Sequence, residues 1–233
     1  MNARAKSFKN RVLASLPASE LGRLSPHLVP VDLPQRKSLL DGKAKGAYFL
    51  EVGIASVVVT LEEGDTVEVG VIGNDGVVGI PGLLGVENGS SRTFMQIQGS
   101  GYRIKPQILR EQFERPGELR NYLQKYMQAF MAQTAQTAAC NRVHGIEERL
   151  ARWLLTCRDR MPSNQLRLTQ TFLGQMLGAP RTTVTLAAGI LERAGLIDHS
   201  RGVVVIRNRV ELENAACECY RTVRDEYKRY QLL

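Results

Sequence analysis

The 233-residue sequence lacks the features that mark two large classes of protein. It contains no run of roughly 18 apolar residues, so no segment predicts a transmembrane helix. Residues 1–10 are polar and basic, without the apolar stretch of a secretory signal. We therefore expect a cytoplasmic protein with no membrane partner.

Cysteine and histidine are scarce, with four cysteines and three histidines in the chain. Cys217 and Cys219 form the only close cysteine pair, and no cysteine precedes Cys140. An iron–sulfur cluster needs about four thiolates at suitable spacing, so we expect no cluster, and we predict no other metal site. On a final helix over residues 210–230, Cys217 and Cys219 would point to different faces. A mutual disulfide is then not expected, and a redox role for the pair stays open.

Catalytic motifs are missing as well. The sequence contains no paired nucleophile and base, no metal-ligand spacing and no phosphate-binding loop of the kinds that enzymes use. We therefore name no catalytic residue and predict that the protein is not an enzyme.

Positive charge is concentrated in the second half of the chain. Residues 1–118 carry 14 Lys and Arg against 13 Asp and Glu, whereas residues 119–233 carry 17 against 10. Phosphate neutralisation supplies most of the non-specific affinity of proteins for DNA. The distribution therefore favours nucleic acid as a partner of the second half, although a merely basic protein would have the same composition.

Glycine marks the first half, where 13 of the 21 glycines fall between Gly42 and Gly101. Between them run short segments of alternating apolar and polar residues. Short strands with glycine-containing turns at close intervals are typical of an antiparallel barrel or roll. We predict such a roll over residues 29–105.

A heptad pattern follows the roll. Residues that are apolar in the first half of the series and polar in the second recur at alternating intervals of four and three, which predicts a long helix with one continuous face. We call this set the heptad face: Leu119, Leu123, Tyr126, Phe130, Gln133, Thr137 and Cys140. The pattern favours a dimer interface, and the alternative is a helix packed on the core of its own domain.

Residues 168–197 predict a helix-turn-helix. Thr169 can cap the first helix, Gly178 can end it, and Pro180 suits the start of the second helix. Residues 196–206 then alternate around a turn and predict a hairpin, the wing of a winged helix. The N-terminal end of the second helix is the part that enters the major groove in such domains.

Arg181 is the first candidate for base recognition because a guanidinium can bond guanine O6 and N7 together. Thr182 and Thr185 lie on the same predicted outer face. Three further residues are candidates for contacts to the DNA backbone that position the domain: Thr169, Gln170 and Arg201.

The order and spacing of these parts resemble the Crp/Fnr family of bacterial regulators. The resemblance rests on the glycine-rich segment from residue 29, the long helix, the segment ERLARWLL at 148–155, and the helix-turn-helix. It implies an α+β fold with three parts: a β-roll or jelly-roll sensor domain of the cyclic-nucleotide-binding type (1–117), a dimerisation helix (118–144) and a winged helix-turn-helix domain (145–233). It also implies a homodimer on a two-fold symmetric DNA site, with RNA polymerase as a further partner.

The resemblance also implies an effector pocket. In cyclic-AMP-binding members, the cassette Gly-Glu-x-Gly/Ala-Leu holds the ribose through its glutamate, and a following Arg-Ser/Thr pair holds the phosphate. Here Ile80 stands at the glutamate position and cannot accept that hydrogen bond. We therefore predict that cyclic AMP is not the physiological ligand. The pocket positions carried over are Gly79, Gly82, Leu83, Arg92, Thr93 and Thr134.

The sequence thus predicts a DNA-binding transcription regulator whose effector, if it has one, is unidentified. The alternative is a regulatory module of the cyclic-nucleotide type that does not bind DNA. The recognition helix departs from common family patterns, since Thr182 replaces a glutamate and Leu186 replaces a second arginine. The preferred DNA half-site therefore does not follow from the resemblance.

Overall fold

The structure is a computed structural model that describes residues 8–43, 46–86, 88–200 and 202–233. An antiparallel β-roll comes first, a long helix follows it, and a helical domain with a small sheet completes the chain. Within the described residues, no helix is both long enough and apolar enough to span a membrane.

The roll is built on two long bent strands that pair with each other and with all the others. Strand β3 pairs with β4 and β5, and β5 also pairs with β1 and β2, always antiparallel. The strands are β1 (Val29–Leu33), β2 (Ser38–Lys43), β3 (Ala47–Thr60), β4 (Thr66–Ile72) and β5 (Asn88–Ile104). At Gly53 and Gly99 the strands β3 and β5 approach so closely that a side chain on either residue would overlap the opposite backbone. Glycine is therefore required where the two strands bend together.

Helices precede, interrupt and follow the strands of the roll along the chain. Four are short: α1 (Arg11–Ser15), α2 (Ala18–Leu24), α3 (Ile80–Leu83) and α4 (Pro106–Phe113). The fifth, α5, spans Glu118–Val143, close to the segment that the heptad pattern predicts. The carboxylate of Glu20 accepts hydrogen bonds from the backbone N–H groups of Glu118 and Leu119, so α2 caps the start of α5.

The C-terminal domain contains the predicted helix-turn-helix and hairpin. Its elements are α6 (Ile146–Arg158), β6 (Gln165–Arg167), α7 (Gln170–Leu177), α8 (Arg181–Arg193), β7 (Ile197–Ser200), β8 (Val203–Ile206), α9 (Arg209–Ala215) and α10 (Cys219–Arg229). The single final helix expected over residues 210–230 is wrong, because the chain is extended at Ala216 and restarts as a helix at Cys219.

The heptad face packs inside its own chain. Leu119, Leu123 and Tyr126 are buried in the core of the roll, and Gln133 donates a hydrogen bond to the Val71 carbonyl at 3.1 Å. Cys140 lies against Cys217 of the link between α9 and α10. The expectation that this face is a free dimer interface is therefore corrected, because the glycine-rich strands and α10 already cover it. The alternative, a helix packed on the core of its own domain, describes the structure.

The two domains share a core. Apolar residues of the roll, among them Ile54, Val58, Val71 and Ile97, belong to the same buried cluster as the helix-turn-helix. In the other direction, Tyr227 of α10 is buried in the cluster that fills the roll. The helix-turn-helix is therefore docked on the roll of its own chain.

Candidate DNA-binding surface and effector cavity

The first helix of the helix-turn-helix is fixed by the residues that the sequence pattern identified. The Thr169 hydroxyl accepts a hydrogen bond from the Phe172 N–H at 3.3 Å and caps α7. Leu173, Leu177 and Met176 are buried on its inner side. Gly178 ends the helix in the left-handed conformation, with φ of 57°.

The second helix presents its polar N-terminal end to solvent. Val184, Ala187, Ala188 and Leu191 hold α8 against the domain core. The exposed side carries a shallow depression lined by Arg181, Thr182, Thr185 and Leu186. The structure therefore places the three predicted base-contacting side chains together on one exposed surface. Leu186 is 69% exposed and adds an apolar group to it.

Of the predicted backbone-contacting residues, only Thr169 has a described side chain. Thr169 is exposed at the start of α7, and its hydroxyl serves as the helix cap. The hairpin of β7 and β8 forms a three-stranded sheet with β6, in the order β6-β8-β7. Gly202 at its turn lies close to Thr169, so the wing starts beside the helix-turn-helix. The side chain of Gln170 and the whole of Arg201 lie outside the described residues.

The predicted effector pocket is only partly assembled. A cavity of about 310 Å³ lies between the roll and α5, and Gly79 and Thr93 line it. Leu83 instead is buried in the core of the roll. The guanidinium of Arg92 pairs with Asp41 at 3.0 Å on the surface, where both side chains are more than half exposed. Neither Gly82 nor Thr134 lies on the cavity lining, and the Thr134 hydroxyl donates to the Phe130 carbonyl.

The cavity is apolar. Its described lining contains no charged side chain and is dominated by the apolar residues Leu40, Val57, Ile72, Ile80, Pro81, Leu84, Met127, Phe130 and Met131. A cyclic nucleotide carries a charged phosphate, which is costly to bury without a cationic partner. The isoleucine at position 80, where cyclic-AMP-binding members have a glutamate, and the surface position of Arg92 also disfavour binding of cyclic AMP.

A buried polar junction, which the sequence pattern did not predict, joins the roll to the C-terminal domain. The Trp153 indole N–H donates to Glu68 Oε1 at 2.6 Å, and the Ser56 hydroxyl donates to Glu68 Oε2 at 2.5 Å. Burial raises the pKa of the Glu68 carboxyl from 4.5 to about 7, although these hydrogen bonds favour the charged form. A glutamate between valines on a predicted strand was the available signal, but it does not reveal a partner 85 residues away.

A second buried contact crosses the same boundary. Arg160, just after α6, pairs with Asp75 of the roll at 2.7 Å, and both side chains are almost fully buried. The guanidinium also lies 4.9 Å from the ring centroid of Tyr227. Burial opposes the charged guanidinium, but the Asp75 carboxylate and its hydrogen bond outweigh burial and raise the pKa of Arg160. The pair links the roll, α10 and the segment after α6.

One further cluster could hold a metal ion. Cys140, His144, Cys217 and Cys219 bring three thiols and an imidazole together, with all ligand atoms within 4.8 Å of one another. The prediction of no metal site did not foresee this cluster, because Cys217 and Cys219 fall on one predicted helix and Cys217 lies 77 positions from Cys140 in the chain.

Comparisons with known proteins agree with this architecture. Residues 148–215 match the Crp-like helix-turn-helix domain. FixK2 from Bradyrhizobium japonicum is 17% identical with a TM-score of 0.69, over 82% of this chain and 98% of that chain. TTHA1359, a Crp/Fnr-family transcriptional regulator from Thermus thermophilus, is 20% identical with a TM-score of 0.64, over 81% and 98% of the two chains. The global regulator CLP of Xanthomonas campestris, described as responsive to cyclic di-GMP, is 18% identical with a TM-score of 0.65, over 82% and 100%. A search of curated protein sequences finds no match.

These findings confirm the resemblance predicted from the sequence. The chain has the fold of the Crp/Fnr regulators, with an N-terminal β-roll, a long helix and a C-terminal helix-turn-helix. Its C-terminal part carries a Crp-like helix-turn-helix domain, which is a DNA-binding domain and not an enzyme class. A chain with the Crp/Fnr fold and a Crp-like helix-turn-helix domain is therefore the class of protein that the fold and the domain match define.

Proposed function

We propose that the protein is a cytoplasmic, non-enzymatic regulator that binds a two-fold symmetric DNA site as a homodimer. The carrying observation is the exposed set of Arg181, Thr182 and Thr185 at the N-terminal end of α8. An exposed helix N-terminus with an arginine and two hydroxyls suits the major groove, where base edges present acceptors and the thymine methyl group. Arg181 reads guanine in this proposal, and the two threonines contact phosphate or thymine methyl groups.

The N-terminus of α7 and the wing contact the DNA backbone. The Thr169 hydroxyl caps its own helix, so its part in phosphate binding is to order the free N–H groups at the start of α7. The net charge of +7 over residues 119–233, 17 basic against 10 acidic residues, supports this phosphate contact. RNA polymerase is the partner through which such a regulator would act on transcription.

The homodimer uses the solvent side of α5, because the heptad face is covered. Met131 on this side is 64% exposed, and Leu84 and Val86 of the roll are 55% and 48% exposed. Met131 and Leu84 both lie on the lining of the cavity, so these two residues belong to one apolar region. A second copy packed there would remove apolar surface from water and close the mouth of the cavity. An effector in the cavity would then contact the dimer interface directly.

The first experiment is selection from a randomised duplex library with no added ligand. We expect enrichment of an inverted repeat with half-sites about 34–36 Å apart, one helical turn. Arg181→Ala should reduce discrimination at one base pair of each half-site by about 1–3 kcal/mol. The matched control is Arg193→Ala, which removes the same charge from the far end of α8, where the side chain is also exposed.

The possible outcomes separate the parts of the proposal. Enrichment of a single half-site would contradict the homodimer but would still support DNA recognition by Arg181, Thr182 and Thr185. An inverted repeat whose base preference is unchanged in Arg181→Ala would contradict the role of Arg181. Absence of DNA affinity even at low salt would contradict the proposed function itself.

A further inference from the structure

A cluster of sulfur and nitrogen ligands lies where the long helix ends. Cys140 and His144 are four residues apart at the end of α5, so they occupy one face of the helix. Cys217 lies in the link between α9 and α10, where the extended backbone at Ala216 breaks the helix, and Cys219 is the first residue of α10. Because the helix breaks before Cys217, Cys217 and Cys219 are not held at fixed helical spacing, and both sulfur atoms lie near Cys140 and His144.

We propose that Cys140, His144, Cys217 and Cys219 bind one Zn²⁺ ion in a tetrahedral site with three sulfur ligands and one nitrogen ligand. Three of the four cysteines and one of the three histidines of the chain meet at this point. The fourth cysteine, Cys157, is buried elsewhere and accepts a hydrogen bond from Gln96. Three thiolates and an imidazole are a common ligand set of structural zinc sites.

The distances fit a single ion. Tetrahedral zinc, with Zn–S of about 2.3 Å and Zn–N of about 2.0 Å, places neighbouring ligand atoms roughly 3.5–3.8 Å apart. Cys140 Sγ lies 3.5 Å from Cys217 Sγ, and Cys219 Sγ lies 3.5 Å from His144 Nδ1. Every other pair of ligand atoms lies within 4.8 Å, so adjustments of about 1 Å complete the tetrahedron. An iron–sulfur cluster would distribute the four ligands over two or more irons and therefore hold them farther apart.

The surrounding groups orient the ligands as in known metal sites. His144 Nε2 lies 3.1 Å from the Glu218 carboxylate, and Nδ1 lies 3.5 Å from Cys219 Sγ. In the tautomer with the proton on Nε2, the carboxylate accepts that N–H and the lone pair of Nδ1 is free for the metal. A carboxylate behind a metal-bound histidine fixes its tautomer and its orientation in this manner. The Gln136 amide donates to Cys219 Sγ at 3.0 Å, which suits a thiolate. The three thiols are buried and the imidazole is partly buried, so water has little access to the site.

The position of the site gives the ion a mechanical consequence. His144 directly precedes Gly145, where the chain passes from α5 into α6, the first helix of the C-terminal domain. The ion would tie this turn to the start of α10, which packs along α5. It would therefore fix the angle at which the helix-turn-helix leaves the long helix, independently of the cavity in the roll.

The test is metal content and cobalt spectroscopy on the full chain, purified under reducing conditions. We expect one zinc per chain after removal of loosely bound metal. Replacement by Co²⁺ should give the intense visible bands of a tetrahedral site and a thiolate-to-cobalt charge-transfer band in the near ultraviolet. Cys140→Ser and Cys219→Ser should weaken zinc binding at least about 100-fold, and Glu218→Ala, which removes only the carboxylate behind His144, about tenfold.

Matched controls and a rescue variant keep the test independent of folding. Cys157→Ala and His27→Ala remove the same residue types away from the cluster and should retain the metal. His144→Cys should retain Co²⁺ while strengthening the charge-transfer band, a change that a purely structural histidine would not produce. Weak bands of octahedral cobalt, iron with labile sulfide in the purified protein, or a Cys140–Cys217 disulfide in the reduced preparation would each overturn the proposal.

Discussion

Trp153 of α6 donates its indole N–H to the buried carboxylate of Glu68 on β4, across the boundary between the C-terminal domain and the roll. The two residues are 85 positions apart in the chain, and Ser56 holds the other oxygen of the same carboxylate. Apolar contacts from both domains surround them. The docked position of the helix-turn-helix therefore depends on an ionisable group that is buried inside the molecule.

Glu68→Gln should remove a pH dependence of stability. Burial raises the folded-state pKa of Glu68 from 4.5 to about 7, so the folded protein binds a proton more tightly than the unfolded chain. The contribution of this proton to stability is present below pH 4.5 and is lost as the pH rises through about 7. The substituted amide stays neutral at every pH and keeps an oxygen for Trp153. At about pH 8 the variant should be more stable than the wild type, by on the order of 3 kcal/mol at most.

Urea unfolding at about pH 5, 7 and 8.5, values that bracket the titration of the folded state, measures this difference. The exposed Glu62→Gln in the turn between β3 and β4 removes the same charge without burial and is the control. Parallel stability profiles for the wild type and Glu68→Gln would show that Glu68 titrates normally in the folded protein.

Asp75→Ala should be far more destabilising than the loss of an exposed ion pair. Asp75 and Arg160 pair at 2.7 Å with 0% and 2% of their side chains exposed. Removing one partner leaves a buried guanidinium uncompensated, which costs about 3–5 kcal/mol. The control is Asp198→Ala, which removes the pair between Arg207 and Asp198, both at least half exposed, and should cost far less because solvent screens an exposed pair.

The double variant of Asp75→Ala with Arg160→Met refines this prediction. Since it removes both charges, it should recover much of the stability that the single variant loses. Denaturant unfolding of the wild type and the three variants gives all the values. Equal losses for Asp75→Ala and Asp198→Ala would contradict the prediction.

The cavity between the roll and α5 should bind apolar probes and not cyclic AMP. Its described lining contains no charged side chain. We expect an environment-sensitive fluorophore to bind there, and calorimetry to detect no binding of cyclic AMP at micromolar concentrations. Met127→Trp fills the cavity from α5 and should weaken fluorophore binding at least about tenfold, or about 1.4 kcal/mol. Gln128→Trp adds the same ring on the exposed side of the helix and should leave binding unchanged. Micromolar binding of cyclic AMP would refute this account of the cavity.

The sequence predicted what depends on local interactions. The cap at Thr169, the left-handed Gly178 and the buried positions of α8 all follow from neighbours within a few residues. The helix-turn-helix predicted over residues 168–197 is one short continuous segment, so its pattern can be recognised without the rest of the chain. The glycine-rich roll could be predicted for a similar reason, because short turns join strands that are close in the sequence.

What the sequence did not predict depends on distant contacts. The heptad face shows that α5 has an apolar side, but an apolar side packs equally well on another helix or on a roll. Its partners here are the strands of the roll and α10. These segments lie far from α5 in the sequence and contact it only in the folded chain. The cluster of Cys140 and Cys217 joins residues 77 positions apart, and a short break in the last helix decides whether it forms.

Leu186→Arg should strengthen DNA binding. Leu186 is 69% exposed beside Arg181, at the position where the family resemblance implies a second arginine, so the change requires no repacking of the core. A guanidinium there adds a contact to phosphate or to a base edge. One added phosphate contact should steepen the slope of log K against log salt concentration by about 0.9. Binding to the selected duplex at several salt concentrations gives the slope.

Val210→Arg places the same charge on α9, where Val210 is equally exposed, and separates a specific contact from a general gain in charge. Equal slopes for the two variants would show that α8 does not face the DNA in the proposed orientation.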